Sequence, residues 1–174
     1  MPVRAIRVTL IAGVLALGSS SALAQNDDVI KRGKDLATAA DCVACHTADP
    51  SKPFAGGDSI ETPFGVIYGT NITSDRETGI GNWSDDDFVR AVREGVAPGG
   101  VHLYPAMPYP SFAKMSQADV LAIKAYLFTL PAIHQSNLQT TVPFPFNQRW
   151  LMIFWNWLNL RGGELTPDPA HDEA

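Results

Sequence analysis

The sequence predicts an all-α domain of short helices joined by long loops. Two observations carry this. In two stretches, Ser84 to Gly95 and Ser116 to Pro131, a polar capping residue stands ahead of apolar residues at helical spacing. Between the helical stretches, glycine and proline collect in breaker-rich segments, nine of them between Thr47 and Asn82 alone.

The first 24 residues read as a secretory signal peptide. Arg4 and Arg7 supply the positive end, and Val8 to Leu17 is a largely apolar stretch of ten residues. Gly18-Ser19-Ser20-Ser21-Ala22-Leu23-Ala24 then offers the small-x-small pattern of a cleavage site. Ten residues fall short of the ~20 that a membrane-spanning helix needs, so cleavage after Ala24 is the expectation. The mature chain is then Gln25 to Ala174. Losing Arg4 and Arg7 reduces 13 basic residues to 11 against 18 acidic ones, so the formal net charge moves from −5 to −7. That balance disfavours nucleic acid and anionic lipid, and suits a basic patch on a partner. The 174-residue length favours one domain, and its Leu, Ile, Val, Phe and Trp content suffices for a core.

Asn26 or Asp27 caps the first helix, expected from Asp28 to Ala40. Thr47 to Asn82 reads as a long folded loop with one short strand or turn around Gly65 to Tyr68. Loops of this length in compact domains are usually functional. Ser84 and Asp87 form the Asp variant of a capping box; Phe88, Ala91 and Val92 mark one face, and Gly95 stops that helix. A second Gly/Pro-rich loop spans Ala97 to Phe112. Ser116 and Asp119 cap the next helix, with Val120, Ile123 and Leu127 as its stripe and Pro131 as its end. A last helix is expected from about Arg149 to Leu160.

The two cysteines stand in Cys42-Val43-Ala44-Cys45-His46, the C-x-x-C-H attachment signature of c-type haem. Two thiols three positions apart on one helical turn reach the two vinyl groups on one porphyrin edge, and the histidine that follows is left beneath the iron as proximal ligand. A thioredoxin-like pair would want a βαβ setting, and a zinc site a second ligand pair; the sequence offers neither. The long loops then have a cofactor to pack on.

A sixth ligand must come from elsewhere, and the candidates are Met107, Met115, Met152, His102 and His134. Met107 is favoured, because Tyr104-Pro105-Ala106-Met107-Pro108-Tyr109-Pro110 is a loop stiffened by three prolines between two helices. Met115 and Met152 are expected to pack, and His102 is the runner-up ligand. Trp83 either donates its indole N–H to a haem propionate or packs. Pro50 or Pro53 is expected to offer the carbonyl that orients the His46 ring. Asn71-Ile72-Thr73 is formally a glycosylation sequon.

Several stretches in order resemble the class I c-type cytochromes. The matching segments are Arg32-Gly33, Ala40 to Thr47, Pro53 to Gly57, Thr62 to Gly65, Thr70 to Thr73, Gly79 to Trp83, Leu103 to Tyr109 and Pro143 to Arg149. Together they resemble the first haem domain of the usually three-haem cytochrome subunit of membrane-bound bacterial alcohol, aldehyde or gluconate-type dehydrogenases. The resemblance implies a class I cytochrome fold around one covalent haem c, with Met107 as distal ligand and Asn71 shaping the haem-side loop rather than carrying a glycan. It implies an electron carrier, not an enzyme, which takes single electrons from a dehydrogenase subunit and passes them to a quinone, a further haem or an oxidase. It places the protein in the periplasm, in a membrane-associated complex. A haem peroxidase or a gas or redox sensor is the alternative, and needs an open sixth position. Asp35 stands where the family often has tyrosine, which leaves Leu36 and Tyr126 for the crossing of the first and later helices. Only one C-x-x-C-H is present, so the chain is either a one-haem relative or the first domain of a longer subunit.

The expected organisation is a signal at 1-24, a cytochrome domain at 25-140 and a C-terminal extension at 141-174. In that extension, nine of the eleven residues between Arg149 and Arg161 are large and apolar. At ~1.5 Å per residue such a helix cannot span a bilayer. A helix apolar nearly all round needs a second partner besides its own domain. A protein partner is expected, with Trp155 and Trp157 as docking residues.

Overall fold

A computed structural model of the chain describes residues 16–165, with side chains from Asn26 onward. Most of the expected signal segment, and the Pro167-Asp168-Pro169 stretch, lie outside the described residues. The first helix, α1, spans Ala16–Ala39 rather than beginning at an Asn26 or Asp27 cap. No proline interrupts Ala16 to Gln25, and alanine, leucine and glutamine favour helix, so Asn26 and Asp27 lie inside it.

The remaining elements are helix α2 (Cys42–His46), strands β1 (Ser59–Thr62) and β2 (Gly65–Tyr68), helix α3 (Asp85–Glu94), strands β3 (Val96–Ala97) and β4 (Val101–His102), and helices α4 (Tyr109–Phe112), α5 (Gln117–Leu127) and α6 (Met152–Asn159). The fold is mostly helical but not purely so. The single strand or turn expected near Gly65 is half of an antiparallel hairpin, with Ser59 opposite Tyr68 and Thr62 opposite Gly65. A second, two-residue ladder pairs Val96 with His102 and Ala97 with Val101. These ladders give the long loops internal backbone partners that buried chain requires.

The caps of α3 and α5 act as read. Ser84 Oγ accepts from the Asp87 amide at 3.1 Å while Asp87 Oδ2 accepts from the Ser84 amide at 3.1 Å, closing the capping box. Gly95 ends α3 in the left-handed region at φ 67°, where glycine carries no Cβ penalty. Ser116 caps α5 by accepting from the Asp119 amide at 3.1 Å.

The core lies where α1, α3 and α5 meet. Ala37, Phe88, Val92, Val120, Ile123 and Leu127 are buried there with Phe54 and Ile80. The α1–α5 crossing is close because Gly33 has no side chain: a Cβ there would run into the Ala122 carbonyl. Leu36 and Tyr126 both pack on this core. Tyr126 makes its aromatic contact with Phe54 of the loop, edge-on at 6.3 Å.

After α5 an extended strap returns along the domain, with the Thr141 amide donating to the Val66 carbonyl at 2.9 Å. A 3-10 turn at Arg149–Leu151 leads into α6. One face of α6 is keyed inward. Asn156 accepts from the hydroxyl of fully buried Tyr109 at 2.6 Å and donates to the Glu94 carbonyl at 3.0 Å. Trp155 meets the Tyr109 ring edge-on at 5.9 Å. Trp155 is therefore a half-buried contact within the domain, whereas Trp157 is 77% exposed.

Candidate functional site

A cavity opens between the C-x-x-C-H turn, the loop Thr70 to Trp83, helices α3 and α5, and the loop that carries Met107. Its walls are mainly apolar. Phe88, Ala91 and Val92 of α3, Ile123 and Leu127 of α5, and Ile80 line it. Thr70, Asn71, Thr78 and Asn137 add polar groups.

Helix α2 is a single turn, entered through Asp41 at φ 52°, a conformation that aspartate tolerates better than most residues. One turn puts residues three and four apart on one face. Cys42 and His46 both line the cavity. Cys45, on the same face as Cys42, is half-buried and is not a lining residue. Its carbonyl lies so close to Gly69 that any side chain there would collide with it. Burial pushes the Cys42 thiol up to about 11 and raises Cys45 as well. A dithiol used for redox exchange needs lowered values, so this pair is poorly suited to that chemistry.

The His46 ring is held from behind. Its Nδ1 lies 2.6 Å from the Thr70 carbonyl, which can only accept, so Nδ1 carries the hydrogen. Burial lowers the His46 pKa, with the Thr70 bond opposing, and keeps the ring neutral. Nε2 then presents a lone pair, and no protein group among the described residues hydrogen-bonds to it. The orienting carbonyl is that of Thr70, not of Pro50 or Pro53 as expected. The Gly56 amide instead donates to the His46 carbonyl at 2.8 Å, so the proline-bearing loop braces the backbone and not the ring.

Of the five candidate sixth ligands, Met107 and Met115 line the cavity. Met107 is held by its amide on the Tyr104 carbonyl at 3.1 Å and by its own carbonyl, which accepts from the Tyr109 amide at 2.8 Å. Met115, expected to pack at the α5 cap, reaches the cavity as well. His102 does not line it: the residue sits in β4 opposite Val96, and its carbonyl accepts from Arg149 Nη1 at 2.9 Å. His134 is exposed beside Asp75, and Met152 starts α6; neither lines the cavity.

Trp83 lines the cavity, and its indole N–H donates to no protein group among the described residues. Asn71 is 2% exposed. Its Nδ2 donates to Thr78 Oγ1 at 3.0 Å and to the Ile133 and Gln135 carbonyls at 2.7 and 3.3 Å. Its Oδ1 accepts from the Thr73 amide at 2.9 Å and from Thr73 Oγ1 at 2.7 Å. An amide enclosed in this way cannot carry a glycan, and it ties the cavity loop to the strap. Sequence reasoning missed Thr78 and Asn137 on the wall, which are scattered polar residues without a local pattern.

The residues fit a haem. A neutral histidine with a free Nε2, the Cys42 thiol and two methionine side chains converge on an apolar cavity, and a single indole donor remains unpartnered at its wall.

The cytochrome c family model matches residues 30–131. The chain is 46% identical over 162 residues to the gluconate 2-dehydrogenase cytochrome c subunit of Pantoea cypripedii, which covers 92% of this chain and 35% of that protein. To the cytochrome c subunit of the alcohol dehydrogenase (quinone) of Gluconobacter oxydans it is 43% identical over 148 residues, 82% of this chain and 30% of that one. To the fructose dehydrogenase cytochrome subunit of Gluconobacter japonicus it is 37% identical over 182 residues, 98% of this chain and 37% of that one. The chain thus spans about a third of the length of these relatives. On the family match, the chain belongs to the cytochrome c family.

Proposed function

We propose that this chain is an electron carrier with a class I cytochrome fold, holding one haem c through thioethers at Cys42 and Cys45, with His46 and Met107 as iron ligands. The observation that carries this is the His46 ring, fixed at Nδ1 by the Thr70 carbonyl and turning a free Nε2 into the cavity that Met107 lines. Bound there, the haem supplies a one-electron iron couple. His46 gives the proximal nitrogen in a fixed orientation and Met107 a thioether from a loop braced by Pro105, Pro108 and Pro110, which favours a raised potential. The α3 and α5 side chains exclude water. Trp83 directs its indole N–H to a propionate, and Asn71 holds the loop in shape. Val43, 45% exposed, leaves the attachment turn near the surface for electron exchange.

Among the described residues, His46 and Cys42 are the ionisable ones that line the cavity, and no second histidine or carboxylate is among them to act as the distal acid–base group of a peroxidase. This favours the carrier over a haem catalyst or sensor.

By analogy with the relatives' names, the electron donor is a dehydrogenase subunit; we take the acceptor to be a quinone, a further haem or an oxidase. Residues 1-24 direct export to the periplasm, 25-140 form the haem domain, and 141-174 form an extension that docks on the partner. The outward face of that extension fits this role: Trp150, Ile153, Phe154, Trp157 and Leu158 follow helical spacing and are each more than half exposed. Among the described residues no helix is long and apolar enough to cross a membrane. We assign membrane association to the partner. The oxidised protein tests the ligation directly. A methionine-to-ferric charge-transfer band that disappears in Met107→Ala supports the reading, and its absence from the unaltered protein refutes it.

A further inference from the structure

Lys124 lies on the buried face of α5 beside Val120, Ile123 and Leu127, and is only 9% exposed. A lysine is almost never buried to this degree without partners. Its Nζ donates to the Trp83 carbonyl at 2.9 Å and to Asp85 Oδ1 at 2.7 Å, and stands 5.4 Å from the centroid of the Phe128 ring. Trp83 immediately precedes the Ser84 cap, and Asp85 is the first residue of α3. The ammonium therefore ties α5 to the chain at the point where Trp83 enters the cavity wall.

Its carboxylate partner is an unequal counterweight. The Asp85 side chain is 67% exposed against 11% for Lys124. Solvent screens an exposed charge far more than a buried one. What remains is a fixed positive charge behind the wall formed by Trp83, Ile123 and Leu127, all of which line the cavity.

We propose that Lys124 is a positioning residue of the haem site: it fixes the backbone of Trp83, and with it the place of the indole on the wall, and its charge favours the reduced iron. The proposal rests on the haem reading given above. One electron added to ferric iron lowers the positive charge of the site by one, so a nearby buried cation makes that step more favourable. Loss of the ammonium also frees the Trp83 carbonyl, and the indole then shifts relative to the haem edge.

Potentiometric titration of the purified haem-loaded protein tests this, with Lys124→Met, Lys124→Arg and Asp85→Asn compared at low ionic strength. Lys124→Met lowers the reduction potential and changes tryptophan fluorescence quenching by the haem, while Lys124→Arg restores most of both. Asp85→Asn removes only the screened partner charge, serves as the second variant if Lys124→Met does not fold, and leaves the potential in place or raises it slightly. A purely structural lysine would lower the melting temperature of Lys124→Met and leave its potential in place, and that result overturns the proposal. So does an Arg variant shifted as far as the Met variant, or an Asp85→Asn potential that falls. Haem staining after denaturing electrophoresis separates the two levels: an unaltered chain without covalent haem refutes the haem reading itself, whereas a haem-bearing Lys124→Met at unchanged potential refutes only the role of Lys124.

Discussion

Replacing Asn71 with alanine removes the joint between the cavity loop and the strap. The Thr73 amide then loses the Asn71 oxygen, its partner at 2.9 Å, and the Gln135 carbonyl loses its donor at 3.3 Å. The Ile133 carbonyl falls back on its longer contact with Thr73 Oγ1 at 3.3 Å. Each buried group left without a partner costs about 1–3 kcal/mol. The buried Thr73 amide accounts for about 2 kcal/mol, and the part-buried bonds lost to the Ile133 and Gln135 carbonyls add about 1 kcal/mol each, about 4 kcal/mol in all. At about 2–4 °C per kcal/mol for a chain of this size, the melting midpoint should fall by about 10 °C. Asn71→Asp is at least as costly near neutrality, since it places a carboxylate against two carbonyls where Nδ2 had donated. Far-UV circular dichroism and the Soret band, followed together on heating, measure both. Asn137 on the same strap lines the cavity, so the Soret transition should move with the backbone transition. A fall of less than about 2 °C, less than the loss of even ~1 kcal/mol would give, would refute the claim that Asn71 is the joint.

Met107→Ala should keep covalent haem, lose methionine ligation and lower the potential, while Met115→Leu leaves the charge-transfer band in place; visible and near-infrared spectra with a redox titration decide this. Trp157→Ser should weaken co-purification with a dehydrogenase subunit and leave the melting curve unchanged, whereas Trp155→Ser, which loses its Tyr109 contact, should lower stability; the opposite pattern in pull-down and calorimetry would reverse the two faces of α6. The Asp75, Asp87 and Asp119 carboxyls are held below their ordinary 3.8 chiefly by hydrogen bonds from Thr78, Ser84 and Arg32 respectively. Their stabilisation is full above the unfolded value of about 3.8 and is lost as the pH falls through the lower folded values, so melting temperatures should drop below about pH 4 and Asp87→Asn should flatten part of that drop.

What was legible in the sequence is local. The Ser84–Asp87 box, the Ser116 cap and the Val120-Ile123-Leu127 stripe each operate within a turn or two, and the structure forms them as read. The C-x-x-C-H turn needs no partner to be recognised. What was not legible depends on contacts between distant segments. The Thr70 carbonyl meets His46 across 24 residues, and Asn71 meets Ile133 across 62. Trp155 faces inward only because Tyr109, far along the chain, stands there to receive it. The hairpin at Ser59 to Tyr68 was half missed, because Ser-Ile-Glu-Thr is too short to show a clear alternation. Lys124 left a trace in the sequence, a charge between apolar positions on a buried face, but its partner at Trp83 belongs to the tertiary fold.

The central claim is that one haem is joined covalently to this polypeptide at Cys42 and Cys45. Intact mass spectrometry of the denatured, exported protein tests it most directly. The expected result is a single species heavier than the mature chain by one haem, with that increment mapped by proteolysis to the peptide containing Cys42 to His46. A polypeptide at its bare mass with two free thiols, or haem extracted by acidified acetone, would contradict it.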